Sequence, residues 1–394
     1  MEKVRFGLIG IGAQGGAYAG FLTGQGGFPG MPAPQCPPHC ALGALCDIDP
    51  EKEKMCREKY PDVPFFKDWK EMVASGTVDA VITTVPHYLH HEIAIYCLEH
   101  GMNVLVEKPA GVRAKDVMAM NKCAEEHPDV AFGIMFNQRT NCVYRKMKEI
   151  ISSGELGSIR RVNWLITNWF RPQSYYDSGA WRATWAGEGG GVLLNQCPHN
   201  LDLFQWLVGM PVRVRAFTHN GLWHDIEVED DVTAYMEFEN GATGVFITST
   251  GDAPGTNRLE VVLEGGTLIC DGKTLTLEKL ETSIPEFMKT YTGGFGTPKC
   301  ETIEVETDGE NPQHAGVLRA FAQHLLKGTP LIADGTEGIN GLTLSNAMHL
   351  SSWLNETVTL PLDADKFLEE LNKRRATSRL KDGAGKVLST EGTY

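Results

Sequence analysis

The sequence lacks any run of about 20 apolar residues, the length that a membrane-spanning helix needs. It also lacks an excess of positive charge, because its formal net charge is -14 at pH 7. That balance argues against nucleic acid or an anionic membrane as the main partner. The first residues, MEKVRFGLIG, run directly into a strand pattern, so we expect neither a secretory nor a transit peptide and place the protein in the cytoplasm.

The ten cysteines lack the regular spacing of a disulfide framework. A chain of 394 residues can fold without covalent cross-links, so we expect reduced thiols. One cluster, Cys36-Pro37-Pro38-His39-Cys40, offers three possible zinc ligands, whereas structural zinc takes four and no fourth is near in sequence. We therefore predict no metal site and interpret residues 24–40 as a surface loop.

The amino-terminal part alternates short apolar runs with helical patterns. VRFGLIGIG, ALGALC, VDAVITTV and NVLVEKP have the character of buried parallel strands. Asp49 followed by Pro50 marks a helix start between two of these strands. This alternation predicts an α/β domain with a parallel sheet and helices on both faces.

From about Ile159 the pattern changes to longer β-rich segments joined by glycine-containing turns. We expect an α+β domain there, with a large, mainly antiparallel open sheet that could pair with a second subunit as a homodimer or homotetramer. The predicted domains are residues 1–136, 137–362, and a terminal helix and tail at 363–394. The polar end, Leu380 to Tyr394, is expected to be a mobile or oligomer-clasping arm.

A glycine-rich segment, Gly10-Ile11-Gly12-Ala13-Gln14-Gly15, follows the first strand and precedes a helix. Glycines in this pattern let the backbone turn tightly and approach a pyrophosphate, whose charge meets the positive end of the helix. The motif alone is common, but its position between a strand and a helix favours a dinucleotide site. Gly10, Ile11, Gly12, Gln14 and Gly15 are therefore predicted cofactor contacts.

Asp47, at the end of the second strand, favours NAD over NADP. A carboxylate there can accept hydrogen bonds from both adenosine ribose hydroxyls and would repel a 2′-phosphate. Asp47 lies further from the glycines than the usual spacing of about 20 residues. The 24–40 loop accounts for the difference.

Further motifs make the pattern specific: Pro86 to His90, Glu107-Lys108-Pro109, FNQR at 136–139, and EGGGVLLNQCPHNLDLFQWLVG from Glu188. In this order they resemble the glucose-fructose oxidoreductase / inositol dehydrogenase / MocA (Gfo/Idh/MocA) family of sugar dehydrogenases. The resemblance covers nearly the whole chain. It implies a Rossmann domain, a nicotinamide cofactor and oxidation of a carbinol.

The resemblance implies that Lys108 reaches into the crevice where nicotinamide and sugar meet. An ammonium beside the reacting carbinol stabilises negative charge on oxygen and can pass a proton. It also implies that His199 is a base, and an imidazole with an ordinary pKa of about 6.5 suits that role. Lys108 and His199 are expected to converge on one carbon from separate domains. Without the flanking motifs, a solvated lysine that ends a strand would be the simpler interpretation of Lys108. A packed histidine on an apolar helix is the alternative for His199.

The family commonly has an aspartate where this sequence has Asn195. A carboxamide can orient a hydroxyl or an imidazole, but it cannot stabilise an imidazolium by charge. If the segment is helical, Asn195 and His199 share a face, although Pro198 would bend that helix. Asp202, one turn further on, is a candidate for the missing carboxylate. Asn195 is thus predicted to be a catalytic partner of His199.

The remaining site predictions follow the same resemblance. Aromatic and basic residues between 168 and 187 suit a sugar, because aromatic rings stack on pyranose C–H faces and arginine binds hydroxyls; core packing is the alternative for each. The substrate candidates are Tyr176, Arg182 and Trp185, with Lys108, Asn195 and His199. The additional cofactor candidates are Thr84, Pro86, His87, His90, Glu107, Lys108, Asn137, Gln138 and Arg139.

Two classes of function remain open at this point. The first is an NAD-dependent enzyme that oxidises a ring hydroxyl of a hexose or glycoside, preferably to a 3-keto sugar; inositol or another cyclic polyol is the nearest competitor. The second is a non-catalytic dinucleotide-binding sensor. A sensor would have little use for both Lys108 and His199, and the chain has both.

Overall fold

A computed structural model describes residues 2–26 and 36–379, which form two compact units. The first unit contains the described residues up to Thr140 together with Pro312–Leu342. The second contains Asn141–Asn311 and residues 343–379. The sequence analysis had assigned residues 312–342 to the second domain, whereas they belong to the first unit of the structure. The predicted arm, residues 380–394, lies outside the described residues.

The first unit is built on a parallel sheet in which the described strands follow the order β3-β2-β1-β4-β5-β6. The order reverses between β1 and β4, and ligands of open α/β sheets bind at such a reversal, beyond the carboxyl ends of the strands. The strands are β1 Val4–Ile9, β2 Cys40–Cys46, β3 Phe65–Phe66, β4 Ala80–Thr83, β5 Asn103–Val106 and β6 Phe132–Ile134.

Helices follow these strands as the alternation predicted. Asp49 caps α2 by accepting a hydrogen bond from the backbone amide of Glu51 at 2.9 Å, which confirms the predicted start of that helix. The helices are α1 Ala13–Thr23, α2 Pro50–Lys59, α3 Trp69–Ala74, α4 His90–Glu99 and α5 Ala114–Glu126. Short 3₁₀ turns cover His87–Leu89, Asn137–Thr140 and Gly335–Glu337.

The second unit contains helices α6 Cys142–Ser153, α7 Gln173–Tyr176, α8 Pro198–Val208 and α9 Ile284–Thr290.

Helix α10, Gln313–Lys327, belongs to the first unit and buries Leu318 and Phe321 in the core of that unit. The Phe321 ring lies 6.1 Å from that of Phe6 on β1. An apolar stripe in the sequence shows that a helix is half-buried, but not which sheet it covers. That is why the prediction misplaced this segment.

The second unit is built on a large sheet in the order β14-β13-β12-β11-β7-β10-β9-β8-β15, with every pairing antiparallel except β7 with β10. This confirms the predicted fold class. The strands are β7 Ile159–Ile166, β8 Arg213–Asn220, β9 Glu229–Glu237, β10 Thr243–Ser249, β11 Asn257–Leu263, β12 Gly266–Cys270, β13 Leu275–Leu280, β14 Cys300–Glu304 and β15 Val358–Thr359. The last helices are α11 Gly338–Leu354 and α12 Ala364–Thr377.

One face of this sheet is buried and the other is partly exposed. Trp164 on β7, Phe246 on β10 and Phe204 on α8 pack together, with ring centroids 6.2 Å apart in each neighbouring pair. On the opposite face, Leu165 and Phe217 remain 37% and 52% exposed. Alternate residues of a strand point to opposite faces of a sheet. Helix α8 therefore packs on the face that carries Trp164 and Phe246, and Leu165 and Phe217 lie on the other face.

Candidate active site

The glycine loop turns sharply between β1 and α1. Gly10 has a φ of +94°, and a Cβ there would lie 2.6 Å from the carbonyl oxygen of Thr84. A Cβ on Gly15 would lie 2.0 Å from the carbonyl oxygen of Gly10. Gly10 is therefore required both by its positive φ and by the nearby carbonyl oxygen. Gly15 is required by the close approach of the backbone alone.

The loop is suited to a dinucleotide by its space and its charge. A Cβ built on Gly12 meets nothing within 4 Å, so the backbone there can be approached closely. Gly12 also caps α1, and the amides at the start of a helix attract phosphate. The residues present at this loop fit the pyrophosphate of a nicotinamide dinucleotide.

Asp47 lies against this loop at the carboxyl end of β2. One of its oxygens accepts a hydrogen bond from the backbone amide of Ile11 at 2.6 Å, and the other accepts one from the backbone amide of Asp49 at 2.9 Å. The carboxylate is half-buried. Asp47 thus places a negative charge beside the glycine loop, the position from which a carboxylate can accept hydrogen bonds from a nucleotide ribose.

Thr84 fixes the other side of the loop from the end of β4. Its hydroxyl donates to the carbonyl oxygen of Gly10 at 2.5 Å, and its amide donates to Ile9 at 2.8 Å. Pro86 is exposed after it and His87 is half-buried in the following turn. Thr84 therefore supports the glycine loop, while Pro86 and His87 border the same strand end.

His90 differs from its prediction as a cofactor-bordering residue. It is 1% exposed, and its two ring nitrogens lie 2.8 Å from the carbonyl oxygen of Pro109 and 2.9 Å from that of Val85. Burial lowers the pKa of His90 and so favours the neutral imidazole, and the two backbone carbonyls oppose this shift. His90 links the turn after β4 to the Glu107-Lys108-Pro109 segment, which is a positioning role.

Lys108 is the second residue after β5 and is half-buried. The carboxylate of its neighbour Glu107 accepts a hydrogen bond from the Lys108 amide at 3.0 Å. The other oxygen of Glu107 accepts from Gln14 at 3.1 Å and from the hydroxyl of Tyr18. The segment that bears the lysine is therefore bonded directly to the helix that follows the glycine loop.

Tyr18 was missed by sequence reasoning. Gln14 and Tyr18 lie four residues apart on α1, so they share a helix face, and the Gln14 amide also donates to the Tyr18 hydroxyl at 3.0 Å. Burial raises the pKa of Glu107 although the positive charge of Lys108 opposes this shift. Burial and the charge of Glu107 raise the pKa of Tyr18 well above its ordinary value. Glutamine and tyrosine at this spacing, beside the glycines, are the signal that could have identified the cluster.

The segment after β6 was predicted to contact the cofactor, and the structure shows other partners for three of its residues. Asn137 is buried and donates to Gln313 of α10. Arg139 is 3% exposed and pairs with Glu337 at 2.7 Å. Gln138 is half-buried and donates to Gln313 at 3.1 Å. Asn137 and Arg139 fasten this turn to residues 312–342, so we revise their assignment from cofactor contacts to structural residues.

In the second unit, Asn195 and His199 do not lie on one helix face, which differs from the expectation for a continuous helix. Helix α8 begins at Pro198, so the proline occupies the first turn, where its missing amide costs nothing. His199 is the next residue and is half-buried. Asn195 precedes the helix in the turn at its start. The shared face was expected only if the segment were helical from Asn195 onward, and the helix begins at Pro198 instead.

Asn195 donates a hydrogen bond to the carboxylate of Glu188, which is 2% exposed. Asp202, the predicted source of a carboxylate, is buried in α8 and accepts from Gln205 at 3.0 Å. The carboxylate bonded to Asn195 is therefore that of Glu188. Sequence reasoning missed Glu188 although it precedes the three glycines of a motif that was singled out.

Those glycines shape the turn in front of Asn195. The amide of Gly191 lies 2.9 Å from both carboxylate oxygens of buried Glu229, and Leu193 donates to the same group at 3.0 Å. A Cβ on Gly191 would lie 2.0 Å from the Glu229 carbonyl oxygen. The buried Glu229 carboxylate thus fastens the turn to β9, and only a glycine at 191 fits against the Glu229 backbone.

Arg182 lies among aromatic rings beside Glu188. Its guanidinium carbon is 4.6 Å from the ring centre of Tyr175 and 4.7 Å from that of Trp181. It donates to the Tyr175 hydroxyl at 2.9 Å and lies 3.9 Å from the Glu188 carboxylate. Gln196 also donates to the Tyr175 hydroxyl, at 3.4 Å. Tyr175, Trp181 and Arg182 thus form one cluster around the Glu188–Asn195 pair.

Tyr176 and Trp185, the other substrate candidates, are core residues. Tyr176 is 3% exposed, and its hydroxyl donates to Thr250 at 2.8 Å. Trp185 is 4% exposed and packs edge-on against His349 and Trp353. Composition alone could not tell which aromatic side chains of this segment face the core. Tyr175, the immediate neighbour of Tyr176, is the one that contacts Arg182.

The cysteine cluster makes ordinary backbone contacts. The Cys36 thiol donates to the carbonyl oxygens of Leu22 and Cys40, and the Cys40 thiol donates to Leu318. Within residues 2–26 and 36–379, no group of three or more His, Cys, Asp or Glu side chains is arranged to hold a metal ion. All ten cysteines are free thiols, as expected. Of the helices in the described segments, none has the length and apolar character needed to cross a bilayer.

Comparison with known families decides the classification. Residues 4–134 match the oxidoreductase family with an NAD-binding Rossmann fold, and residues 144–269 match the Gfo/Idh/MocA C-terminal domain. The chain belongs to the Gfo/Idh/MocA family. It is therefore an NAD(P)-dependent oxidoreductase related to dehydrogenases that act on CH–OH groups.

Gfo/Idh/MocA relatives with known substrates are distant in sequence. The scyllo-inositol 2-dehydrogenase (NADP(+)) IolW of Bacillus subtilis is 24% identical over 77% of this chain and 85% of its own length. The myo-inositol 2-dehydrogenase of Thermotoga maritima is 23% identical over 78% of this chain and 87% of its own. These two relatives act on inositols, and one uses NADP(+).

A solved relative supports the same fold. The WlbA dehydrogenase of Chromobacterium violaceum, in complex with NADH and UDP-GlcNAcA, has a TM-score of 0.76 and 28% identity to this chain. The match covers 92% of this chain and 97% of the relative. Because relatives bind either nicotinamide cofactor, membership of the family leaves the choice between NAD and NADP to the residues of this chain.

Proposed function

We propose that the chain is an NAD-dependent dehydrogenase that oxidises a ring hydroxyl of a hexose or glycoside, in the cytoplasm, to a 3-keto sugar. The reverse reduction uses the same residues. Bound at the glycine loop, the nicotinamide dinucleotide supplies the hydride acceptor of this reaction. NAD is preferred because Asp47 places a negative charge beside the loop, where NADP would bring a 2′-phosphate.

The observation that carries the proposal is the hydrogen-bonded path from the glycine loop to Lys108. Gln14 of the loop motif donates to Glu107, and Glu107 accepts from the Lys108 amide. Lys108 also lies at the carboxyl end of β5, the edge at which α/β sheets bind ligands. This path supports the assignment of Lys108 to chemistry on the alcohol that the cofactor oxidises.

We assign two complementary roles in the proton chemistry. The Lys108 ammonium stabilises the negative charge that develops on the substrate oxygen, and the His199 imidazole takes the hydroxyl proton. Asn195 orients a substrate hydroxyl or the imidazole. Its amide nitrogen is committed to Glu188, so its oxygen is the atom oriented as an acceptor.

Recognition of the sugar is assigned to Arg182 and the aromatic residues around it. Arg182 carries donors for ring hydroxyls, and Tyr175 and Trp181 supply ring faces of the kind that pack on pyranose C–H groups. The charge of Arg182 is partly balanced by Glu188 at 3.9 Å. This balance favours a neutral sugar or glycoside over an anionic one.

Oxidation of an inositol or another cyclic polyol is the second candidate, because relatives matched over most of the chain are inositol dehydrogenases. Both reactions convert a secondary ring alcohol to a ketone, so Lys108 and His199 would serve either. The candidates differ in the ring that the cluster around Arg182 must hold.

A substrate panel separates these candidates. The purified chain is incubated with NAD, and in parallel with NADP, in the presence of hexoses, alkyl and aryl glycosides, and inositols, while NADH or NADPH absorbance is followed. The proposal expects turnover with glycosides or hexoses and a preference for NAD. Turnover confined to inositols would favour the second candidate. Tight NAD binding without turnover on any ring alcohol would support a sensor and contradict both.

We also propose that the chain is a homo-oligomer, a dimer or tetramer, formed through the exposed face of the second sheet. Phe217 on β8 and Leu165 on β7 expose apolar surface on that face. Light scattering after size-exclusion chromatography should give a mass at least twice that of the chain. Replacing Phe217 and Leu165 with serine should lower it, and a monomeric wild type would contradict the proposal.

A further inference from the structure

Glu188 is a buried carboxylate in the second unit, and its two oxygens are bonded to different parts of the turn. One oxygen accepts from the Asn195 amide, and the other accepts from the backbone of Ala183 at 2.6 Å. Arg182 approaches the first oxygen to 3.9 Å. Only 2% of Glu188 is exposed. A single carboxylate thus contacts two of the side chains to which the proposed function gives substrate contact, Asn195 and Arg182.

We propose that Glu188 is a positioning residue that fixes the Asn195 carboxamide and the Arg182 guanidinium in the orientations needed for sugar oxidation. This inference rests on the proposed function, because it concerns the same site.

The chemistry of the pair explains why a carboxylate is needed. An ionised carboxylate only accepts hydrogen bonds, so it selects the amide nitrogen of Asn195 and turns the amide oxygen the opposite way. A glutamine at 188 would offer both a donor and an acceptor, and it would no longer dictate that orientation. Burial raises the pKa of Glu188, while Arg182 and the donors from Ala183 and Asn195 oppose the shift. Arg182 and these donors favour the charged form of the carboxylate, and burial opposes them.

The first test is the substitution Glu188→Gln, which keeps the shape and removes the charge. We expect kcat/KM for the sugar to fall about 10- to 100-fold, because a hydrogen bond to a charged group is lost from the site. Affinity for NAD should stay unchanged in a binding titration. Glu239→Gln, at an exposed glutamate of the β9–β10 turn, is the matched control and should leave kcat/KM unaltered.

The second test exchanges the two groups. Asn195→Asp alone sets two carboxylates at hydrogen-bonding distance, which must repel or share a proton, so it should also lose activity. The double variant Glu188→Gln with Asn195→Asp restores one carboxylate and one amide donor in the opposite order. We expect it to recover at least about tenfold in kcat/KM over the weaker single variant. A residue needed only for folding would show recovery in the melting temperature but not in kcat/KM.

The outcomes are distinct. A wild type that turns over a sugar, together with an equally active Glu188→Gln, overturns this inference alone. A double variant no more active than the weaker single variant overturns it as well. If Glu188→Gln does not fold, Asn195→Ala takes its place, and near-native activity of that variant overturns the inference. A wild type that oxidises no sugar while binding NAD overturns the proposed function, and this inference falls with it.

Discussion

The amide of Ile11 donates a hydrogen bond to the carboxylate of Asp47 at 2.6 Å, which joins the glycine loop to the end of the second strand. The two residues are 36 positions apart, further than the spacing of about 20 typical of such sites. The additional residues precede β2 in the sequence, and the contact between Ile11 and Asp47 is present all the same. Asp47 therefore acts on the shape of the loop as well as on its charge.

Asp47→Asn keeps an oxygen for Ile11 and removes the charge. We expect the ratio of NADP to NAD affinity to rise at least about tenfold, because a 2′-phosphate would no longer face a carboxylate. Fluorescence titration with the reduced cofactors measures both affinities. Asp49→Asn is the control, since asparagine is an equally good helix cap. An unchanged ratio would show that Asp47 does not read the ribose.

His199→Asn removes the proposed proton acceptor. We expect kcat/KM for the sugar to fall about 10²- to 10⁴-fold, the range associated with loss of general base catalysis. NAD affinity should remain within about threefold of wild type, because His199 is assigned to the substrate rather than the cofactor. His100→Asn, at an exposed histidine, should keep native kinetics. Native turnover by the His199 variant would remove it from the mechanism.

His90 should make folding stability sensitive to acid. Its pKa is lowered in the folded protein, so below the unfolded value of about 6.5 the unfolded chain binds more protons. Its contribution to stability is therefore present at neutral pH and is lost as pH falls below about 6.5. His90→Gln should be less stable at pH 7 by about 1–3 kcal/mol, because buried carbonyls lose their partner. That deficit should shrink as pH falls toward 5.

Denaturant unfolding of wild type and His90→Gln at several pH values measures this difference. His100→Gln, at an exposed histidine, serves as the control. A deficit that stays constant from pH 7 to pH 5 would show that His90 is not held neutral.

Asp79 should contribute to stability with the same direction of pH dependence as His90, in a more acidic range. It accepts two hydrogen bonds from the Arg5 guanidinium, at 2.8 and 3.0 Å, and one from the Arg5 amide at 2.8 Å. The side-chain bonds with Arg5 lower the pKa of Asp79. Its contribution is therefore present above the unfolded pKa of about 3.9 and is lost as pH falls through the lower folded value.

Asp79→Asn should cost about 1–2 kcal/mol at pH 7, because a charge-assisted bidentate pair joins β1 to the start of β4. Urea unfolding measures this cost. Exposed Asp62→Asn should stay within about 0.5 kcal/mol of wild type. A cost that is equal at pH 7 and pH 3 would mean that shape, not charge, matters at Asp79.

The parallel sheet, the antiparallel sheet and the glycine loop could be predicted because their patterns are local. Strand and helix periods, the cap at Asp49 and the glycine spacing are all readable within about ten residues. The assignment of α10 to the first unit could not be predicted, because an apolar stripe on a helix does not show which sheet the helix packs against. The Glu107–Tyr18 and Glu188–Asn195 bonds also depend on how turns fold.

Burial separates the predicted site residues that lie in the core from those that a ligand could reach. Tyr176 and Tyr175 are adjacent and chemically identical, yet one donates to Thr250 in the core and the other binds Arg182. Pro198 was interpreted as a bend within a helix, whereas it starts one. A single residue of register thus decides which side chains are available to a substrate.

Lys108→Met tests the central claim most directly, because Lys108 is proposed to act on the substrate oxygen. With a glycoside identified in the panel, NADH formation is measured for wild type, Lys108→Met and Lys122→Met, which alters a lysine that is 76% exposed. We predict that Lys108→Met loses about 10²- to 10⁴-fold in kcat and binds NAD within about threefold of wild type, while Lys122→Met stays native. Near-native turnover by Lys108→Met would contradict the account.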